Sequence, residues 1–223
     1  MAIVVPKGSH GACREQIVLD ARSVVLAPAG KTHAQAATLP RNGLTARLSL
    51  DLLKLSPGQV LAVTGAAGAY GRYVIRLAKA EGLTVIADAS EKDEQLVASL
   101  GADIVVRRGD DVASRFASTS RGAWMASPTG RCSTSASSWT CAMPAPSPPS
   151  RASRAIRSAT SAPRPPSCAP MRRRGEKLDQ LRGQVETGQL TLRVAEIYPP
   201  ESAADAHRRL EAGGTRGRLI IAF

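Results

Sequence analysis

No stretch of this chain approaches the ~20 consecutive apolar residues that a membrane-spanning helix needs. Lys7 lies near the amino terminus, but no long apolar region follows it. Neither a signal peptide nor a membrane partner is expected, and a cytoplasmic location is. The four cysteines, Cys13, Cys132, Cys141 and Cys168, show no C-x-x-C and no Cys/His ligand spacing. That pattern argues against a zinc site and against a disulfide framework, so no metal is expected. No Ser/His/Asp or paired-carboxylate arrangement stands out, and no catalytic acid, base or nucleophile is assigned. His10 and His33 read as surface or loop residues, and His207, beside Arg208 and Arg209, as part of a solvated helix face.

A second absence is local. Residues 117–174 contain no Lys, no Asp and no Glu, but nine Arg. The chain of 223 residues has a net charge of +12, so three-quarters of that charge sits in about a quarter of the sequence. The same window holds nine of the 15 prolines, three of the four cysteines and both tryptophans. Elsewhere the sequence is that of a slightly basic globular protein, long enough for one large domain or two small ones.

The stretch that organises the rest is Val60-Leu61-Ala62-Val63-Thr64-Gly65-Ala66-Ala67-Gly68-Ala69-Tyr70-Gly71. A buried-type strand breaks into glycines spaced three apart, and a helical pattern follows. Such a turn brings backbone N–H groups and a helix N-terminus against a diphosphate. The glycines serve tight turning, close approach to phosphate, and close helix–strand contact. Alone the spacing is equally that of a plain strand–helix turn, and the neighbours decide. Residues 74–78 continue an amphipathic helix that ends near Gly82. Residues 83–87 are a second strand, 91–100 a second helix stopped by Gly101, and 103–106 a third strand. Strand–helix–strand–helix–strand with short loops implies an α/β fold with a parallel sheet. The glycine turn then lies at the carboxyl end of the first strand, where such sheets bind ligands.

Upstream, residues 2–5, 16–19 and 23–26 read as short β-like runs. Residues 34–39 read as a short helix ending at Pro40, Asn42-Gly43 as a turn, and 44–55 as a helix closed by Ser56-Pro57-Gly58. Downstream, Leu178, Leu181 and Val185 fit a helix, 190–197 alternate like a strand, 203–210 are helical up to Gly213-Gly214, and 219–223 form a last strand.

Several of these stretches, in this order, resemble the medium-chain dehydrogenase/reductase superfamily. They are Ala36-Ala37-Thr38-Leu39-Pro40, Gly43-Leu44-Thr45-Ala46, Pro57-Gly58-Gln59-Val60-Leu61, Gly65-Ala66-Ala67-Gly68 and Leu100-Gly101-Ala102-Asp103. The tail, with Ala203-Ala204-Asp205-Ala206 and Gly217-Arg218-Leu219-Ile220, is similar to the superfamily's C-terminus. The resemblance covers about residues 8–116 and 175–223. It is closest to the zinc-independent NADPH:quinone oxidoreductases, because Leu39-Pro40-Arg41-Asn42 stands where zinc-dependent relatives carry a ligand cysteine. It implies a Rossmann-type doubly wound parallel sheet with remnants of a GroES-like β domain. Residues 1–33 would be a remnant of that catalytic domain, 34–116 the first half of the cofactor domain, and 175–223 the return to the catalytic domain. Most of the GroES-like domain precedes this segment in family members, so a truncated chain is expected. A family-type homodimer is also implied.

The resemblance assigns Gly65, Ala66, Ala67, Gly68, Ala69, Tyr70 and Gly71 to the diphosphate. Asn42 and Thr45 would lie near the nicotinamide; a turn residue and a plain helix position are their alternatives. At the end of the second strand Ala89 takes the position of the acidic residue that selects NAD, one place after Asp88. Ser90, Lys92 and Arg107 or Arg108 follow, and a small residue with a serine and cations suits a 2′-phosphate. NADP is therefore favoured over NAD, with Asp88 as the counter-argument and solvated surface charge as the alternative for the cations.

Residues 117–174 show no strand or helix pattern. Composition alone reads as a basic disordered linker, yet the superfamily places its fourth to sixth strands here, and a long structureless insert in a compact domain counts against that reading. The genetic code offers another. Trp124-Met125-Ala126 must be TGG-ATG-GCN, and a frame starting two nucleotides later gives Val, Leu or Met, then Asp, then Gly. The superfamily's fourth strand begins with a Val-Asp pair at about this distance. In the same frame Trp139-Thr140 gives Asp and Met143-Pro144 gives Ala, while Ser127, if encoded TCN, becomes apolar. We read 117–174 as a frame-shifted translation of the missing strands, with the frame restored before Gly175.

Three functions remain open at this stage. The first is an oxidoreductase that moves hydride from NADPH to a quinone or an activated carbonyl or alkene. The second is a non-enzymatic remnant with weak or no dinucleotide binding. The third is a nucleic-acid-binding arm built on the nine arginines, disfavoured because the window lacks lysine and carries no aromatics apart from the two tryptophans. Sequencing the coding DNA from codon 110 to codon 180 tests the frame: the shifted frame is expected to be open and to alternate apolar residues, and a stop codon in it sinks the reading.

Overall fold

A computed structural model describes residues 1–2, 13–119, 124–126 and 171–223. Its centre is a parallel sheet of four strands in the order β3-β2-β1-β4, with β1 at Val60–Val63, β2 at Thr84–Ala89, β3 at Ile104–Arg107 and β4 at Trp124–Ala126. Val63 sits opposite Ala87 on one side and Ala126 on the other. The strands are short apolar runs, as expected where both faces of a parallel sheet are covered. Leu61, Val63, Val85 and Ala87 pack on one face against α3 (Ala69–Ala80) and α4 (Glu94–Ser99). Ala62 and Ile86 face the other way, toward Phe116 of α5 (Val112–Thr119). Period-two alternation thus sends neighbouring residues of one strand into two separate cores. The expected α/β, Rossmann-type doubly wound sheet is the observed one.

Upstream of the sheet, α1 spans His33–Ala37 and α2 spans Leu39–Leu53. α1 begins with a capping box in which Thr32 and Gln35 exchange side-chain and backbone hydrogen bonds. Pro40 does not end a helix, and Asn42-Gly43 is not a turn. Proline is tolerated in the first helical turn, where its missing N–H has no acceptor in any case, and Pro40 occupies that place in α2. Gly43 lies inside α2 on the side that meets a later helix: a Cβ there would stand 2.9 Å from Leu39 Cδ1 and 3.3 Å from Leu181 Cδ1, so those side-chain tips would have to shift. Leu181 belongs to α6 (Met171–Glu186), so this glycine lets the late helix lie close on the early one. Leu178, Leu181 and Val185 of α6 are buried in the same core as Leu39 and Leu50 of α2.

At the amino end, residues 16–19 form no strand, because Asp20 caps a 3-10 turn at Ala21–Ser23 and draws the chain into it. Among the described residues Ala2 and Val24, paired antiparallel, keep β character there; residues 3–5 and His10 lie outside the described residues. The C-terminal segment folds as β5 (Val194–Tyr198), α7 (Ala203–Glu211) and β6 (Arg218–Ile221), with β5 and β6 parallel.

The window that sequence patterning left without elements is corrected at three places, the first being α5, which runs on to Thr119. Residues 124–126 form β4, paired in parallel with β1, and α6 starts at Met171 rather than after Gly175. β4 falls on the Trp124-Met125-Ala126 codons whose shifted frame reads as the start of a fourth strand. Residues 127–170, with most of the expected frame-shifted segment, lie outside the described residues.

The closest backbone approach in the cofactor half is at Gly71, where a Cβ would meet Gly65 O at 2.6 Å and Ala66 Cα at 2.7 Å. Both atoms are backbone and cannot swing aside. Gly71→Ala is expected to cost about 3 kcal/mol, the upper end for overpacking, read as a lower urea midpoint with an unchanged m-value; a loss under about 0.5 kcal/mol would show that the contact is not tight.

Candidate functional site

The site is built where β1 ends. Gly65 has φ +66°, the left-handed conformation that glycine adopts without penalty. The turn closes when Gly68 N donates to Gly65 O at 2.9 Å. Gly68 is the N-cap of α3 and has no side chain to cap it. A helix begins with amides that have no acceptor inside the helix, at the positive end of its dipole. Ala66 and Ala67 are buried and present backbone alone. Tyr70 turns its hydroxyl to α2, donating to Ser49 Oγ at 2.8 Å. The result is a small-residue cradle shaped for an anion.

β4 lies on one side of β1 and β2 on the other. Chain order therefore reverses at β1, and the crevice at the carboxyl ends of β1 and β4 is the topological switch point of the sheet. The cradle opens there.

The end of β2 is wired to the cradle. Asp88 is 3% exposed, and its Oδ1 accepts from Ala66 N at 3.3 Å. Arg108 Nε donates to Asp88 Oδ2 at 2.8 Å and Arg108 Nη2 to Oδ1 at 3.3 Å. Asp88 also raises the Arg108 guanidinium. Arg108 N donates to Ala89 O at 2.7 Å, and its side chain remains about half exposed at 46%. The Asp88 carboxylate is thus turned under the glycine turn and neutralised by an arginine. Ala89 is fully buried. Ser90 is half-buried and Lys92 exposed, while Arg107 pairs with Glu91 at the surface, 3.0 Å apart.

Asn42 and Thr45 stand on α2, outside this hydrogen-bond network. Thr45 Oγ1 donates to Arg41 O at 2.6 Å, a bond to the preceding helical turn that leaves its oxygen as an acceptor. The structure therefore gathers Gly65–Gly71, Asp88, Ala89, Ser90 and Arg108 round one end of the sheet, with Lys92 in the adjoining 3-10 turn.

Two residues that sequence reading passed over hold Ser90. Ser90 Oγ donates to Asp93 Oδ2 at 2.6 Å, and Arg216, from the segment before β6, donates to Asp93 Oδ1. Asp93 is 4% exposed. The Ser90-x-x-Asp93 spacing was a local signal for such a bond; Arg216 had none, since it arrives through the tertiary fold.

Comparisons with known proteins agree with this fold. The family model described as zinc-binding dehydrogenase matches residues 18–221. The chain belongs to this family, within the medium-chain dehydrogenase/reductase superfamily. The chain is 39% identical over 119 residues to the pikromycin polyketide synthase component PikAII of Streptomyces venezuelae, covering 52% of this chain and 3% of that protein. It is 35% identical over 107 residues to the mitochondrial NAD(P)H oxidoreductase RTN4IP1 of Mus musculus, covering 46% of this chain and 27% of the relative. The chain therefore spans well under half the length of these curated relatives. The mycobacterial Rv1454c structure complexed with NADPH superposes with a TM-score of 0.67 at 24% identity, over 91% of this chain and 69% of that one, which shows the fold.

The family's description names zinc. Among the described residues no group of three or more His, Cys, Asp or Glu could hold a metal ion. No helix among them is long and apolar enough to cross a membrane.

The Arg216 hydrogen bond, then that of Ser90, holds the Asp93 carboxyl below its ordinary value. Near pH 4, the unfolded carboxyl binds more protons than the folded one, so stability rises with pH there. The contribution is complete above the ordinary Asp range (about 3.9) and is lost as pH falls through the lower folded value. Asp93→Asn is expected to flatten the fall of melting temperature between about pH 5 and 2.5; an unaltered acid limb would remove Asp93 from the account.

Proposed function

We propose that this chain binds NADPH across the switch point of its sheet and belongs to an oxidoreductase that transfers hydride to a quinone or an activated carbonyl or alkene. The observation that carries the reading is the cradle itself: a glycine turn closing on a helix N-terminus at the carboxyl end of the central strand. The residues present suit a dinucleotide. The diphosphate would lie against the backbone of residues 65–71, where Gly68 leaves the amides unobstructed. Asn42 and Thr45 would flank the nicotinamide, with the Thr45 oxygen free to accept from its carboxamide. The bound cofactor supplies the hydride, and the protein supplies orientation and electrostatics.

NADP is favoured over NAD by the state of Asp88. An acidic residue selects NAD when its carboxylate faces the ribose hydroxyls. Here that carboxylate braces Ala66 N and is paired with Arg108. Exposed at this end are Lys92, part of Arg108 and the Arg107–Glu91 pair, beside half-buried Ser90; the excess of cations over the single exposed acid is what would attract a 2′-phosphate. The relative described as an NAD(P)H oxidoreductase and the fold neighbour complexed with NADPH support the same cofactor class.

NADPH and NADH titrations followed by melting temperature test this reading, with turnover measured as NADPH oxidation in the presence of a small quinone. NADPH is expected to raise the melting temperature at sub-millimolar concentration. Lys92→Gln is expected to weaken NADPH about tenfold, the scale of one charged hydrogen bond, and to leave NADH unchanged. No NADPH shift at millimolar concentration overturns cofactor binding; a shift without quinone-dependent oxidation leaves a dinucleotide-binding remnant as the correct reading.

A further inference from the structure

Behind the end of β2 lies a line of three side chains outside the hydrogen bonds of the glycine turn. Ser90 Oγ donates to Asp93 Oδ2 at 2.6 Å, and Arg216 donates to Asp93 Oδ1. Asp93 is buried, and Arg216 arrives from 123 residues further along the chain. The Asp93 carboxyl, held low chiefly by Arg216, is an anion at neutral pH. Its charge also acts on Lys92 and Arg108, two cations at this end of the sheet.

The direction of the Ser90 hydrogen bond decides what Ser90 can offer a ligand. A serine hydroxyl has one proton to donate and two lone pairs that accept. Here the proton is committed to a carboxylate, in a short bond of the strong, charge-assisted class. Serine at the start of a helical turn commonly accepts from the turn's own amides. Ser90 occupies that place before the 3-10 turn Glu91–Asp93, yet its side chain makes no such bond. Its lone pairs are left for a ligand, and toward a ligand Ser90 is an acceptor. A ribose hydroxyl has a proton to give it. A phosphate monoester, with a second pKa of about 6, is largely a dianion at neutral pH and has none. To serve a phosphate, Ser90 must turn its proton away from Asp93. Arg216 is then the partner that keeps the buried carboxylate from standing alone, which would be costly.

We propose that Asp93 and Arg216 are positioning residues that set the cofactor preference through Ser90. Asp93 makes Ser90 an acceptor that reads a ribose 2′-hydroxyl and opposes a 2′-phosphate; Arg216 limits that opposition. This rests on the reading that a dinucleotide places its adenosine ribose at the end of β2. Both residues act from behind Ser90 rather than by contact with the cofactor. Lys92 and Arg108 attract a phosphate and the Asp93 line restrains that attraction. The parent therefore discriminates between NADPH and NADH less sharply than its surface charge alone implies.

Dissociation constants of the full chain for NADPH and NADH, followed by nicotinamide fluorescence, give the preference as a ratio. Asp93→Asn removes the charge and offers Ser90 an amide donor, which releases the serine proton; the ratio is expected to move about tenfold toward NADPH. Arg216→Gln leaves the Asp93 charge uncompensated, and the ratio is expected to move toward NADH. Ser90→Ala deletes the acceptor and is expected to weaken NADH about fivefold more than NADPH. Opposite movement at the two ends of one ion pair is the signature, because losing a purely structural clamp weakens both cofactors together in either variant. The proposal is overturned if the Asp93 and Arg216 variants move the ratio the same way, or leave it where the parent has it. If Asp93→Asn does not fold, Arg216→Gln and Ser90→Ala decide by the same ratio. A parent that binds neither cofactor refutes the cofactor reading and this proposal with it. A parent that binds both, with a ratio that no variant moves, refutes this proposal alone.

Discussion

The contact on which the structure depends is the approach of Gly71 to the backbone of Gly65 and Ala66. Helix α3 can begin directly over the end of β1 because no side chain keeps them apart. From that contact follow the direction of the helix and the exposure of its first amides at the sheet's edge. The face that α3 shows to Val63, Val85 and Ala87 follows too. The buried Asp88 then fixes the same turn from the other strand by accepting from Ala66 N. A carboxylate this deep is costly without a partner, and Arg108 supplies one while keeping part of its own fork in water. Turn, strand end and arginine form a single electrostatic unit.

This unit was half legible in the sequence. The glycine spacing, the apolar run before it and the helical period after it announced the turn, and the three strands beside it were readable because each is a short apolar run bounded by glycine. What could not be read was the direction of the Asp88 side chain. Sequence places an acid at the end of β2 without saying whether it faces a ligand or the protein. Pro40 and Gly43 were misleading for a related reason. As local punctuation they signal a break, but proline fits a first helical turn and glycine fits a helix where another helix must come near. The partner that decides the matter, Leu181, lies far along the chain.

The charge of the protein also takes on meaning only in three dimensions. Nine arginines crowd into residues 117–174, a window the composition alone would assign to a linker or an arm. Three residues of it pair with β1 and place the switch point of the sheet. Arg108 and Arg216 are compensated, while Arg72, Arg193 and Arg218 line one cleft and pair with no acid among the described residues. Their difference is one of partners supplied by folding, which no count of charges can register.

The seam between α2 and α6 carries a further consequence. Leu39 and Leu50 share a core with Leu178, Leu181 and Val185, and Lys177 pairs with Asp51 across the same seam. Arg216 reaches Asp93 from the far end of the chain. The early and late parts of the sequence are therefore bound to each other by their own surfaces. The two parts hold each other in place, and a substitution that empties the seam on one side, at Leu39 or at Leu181, loosens both.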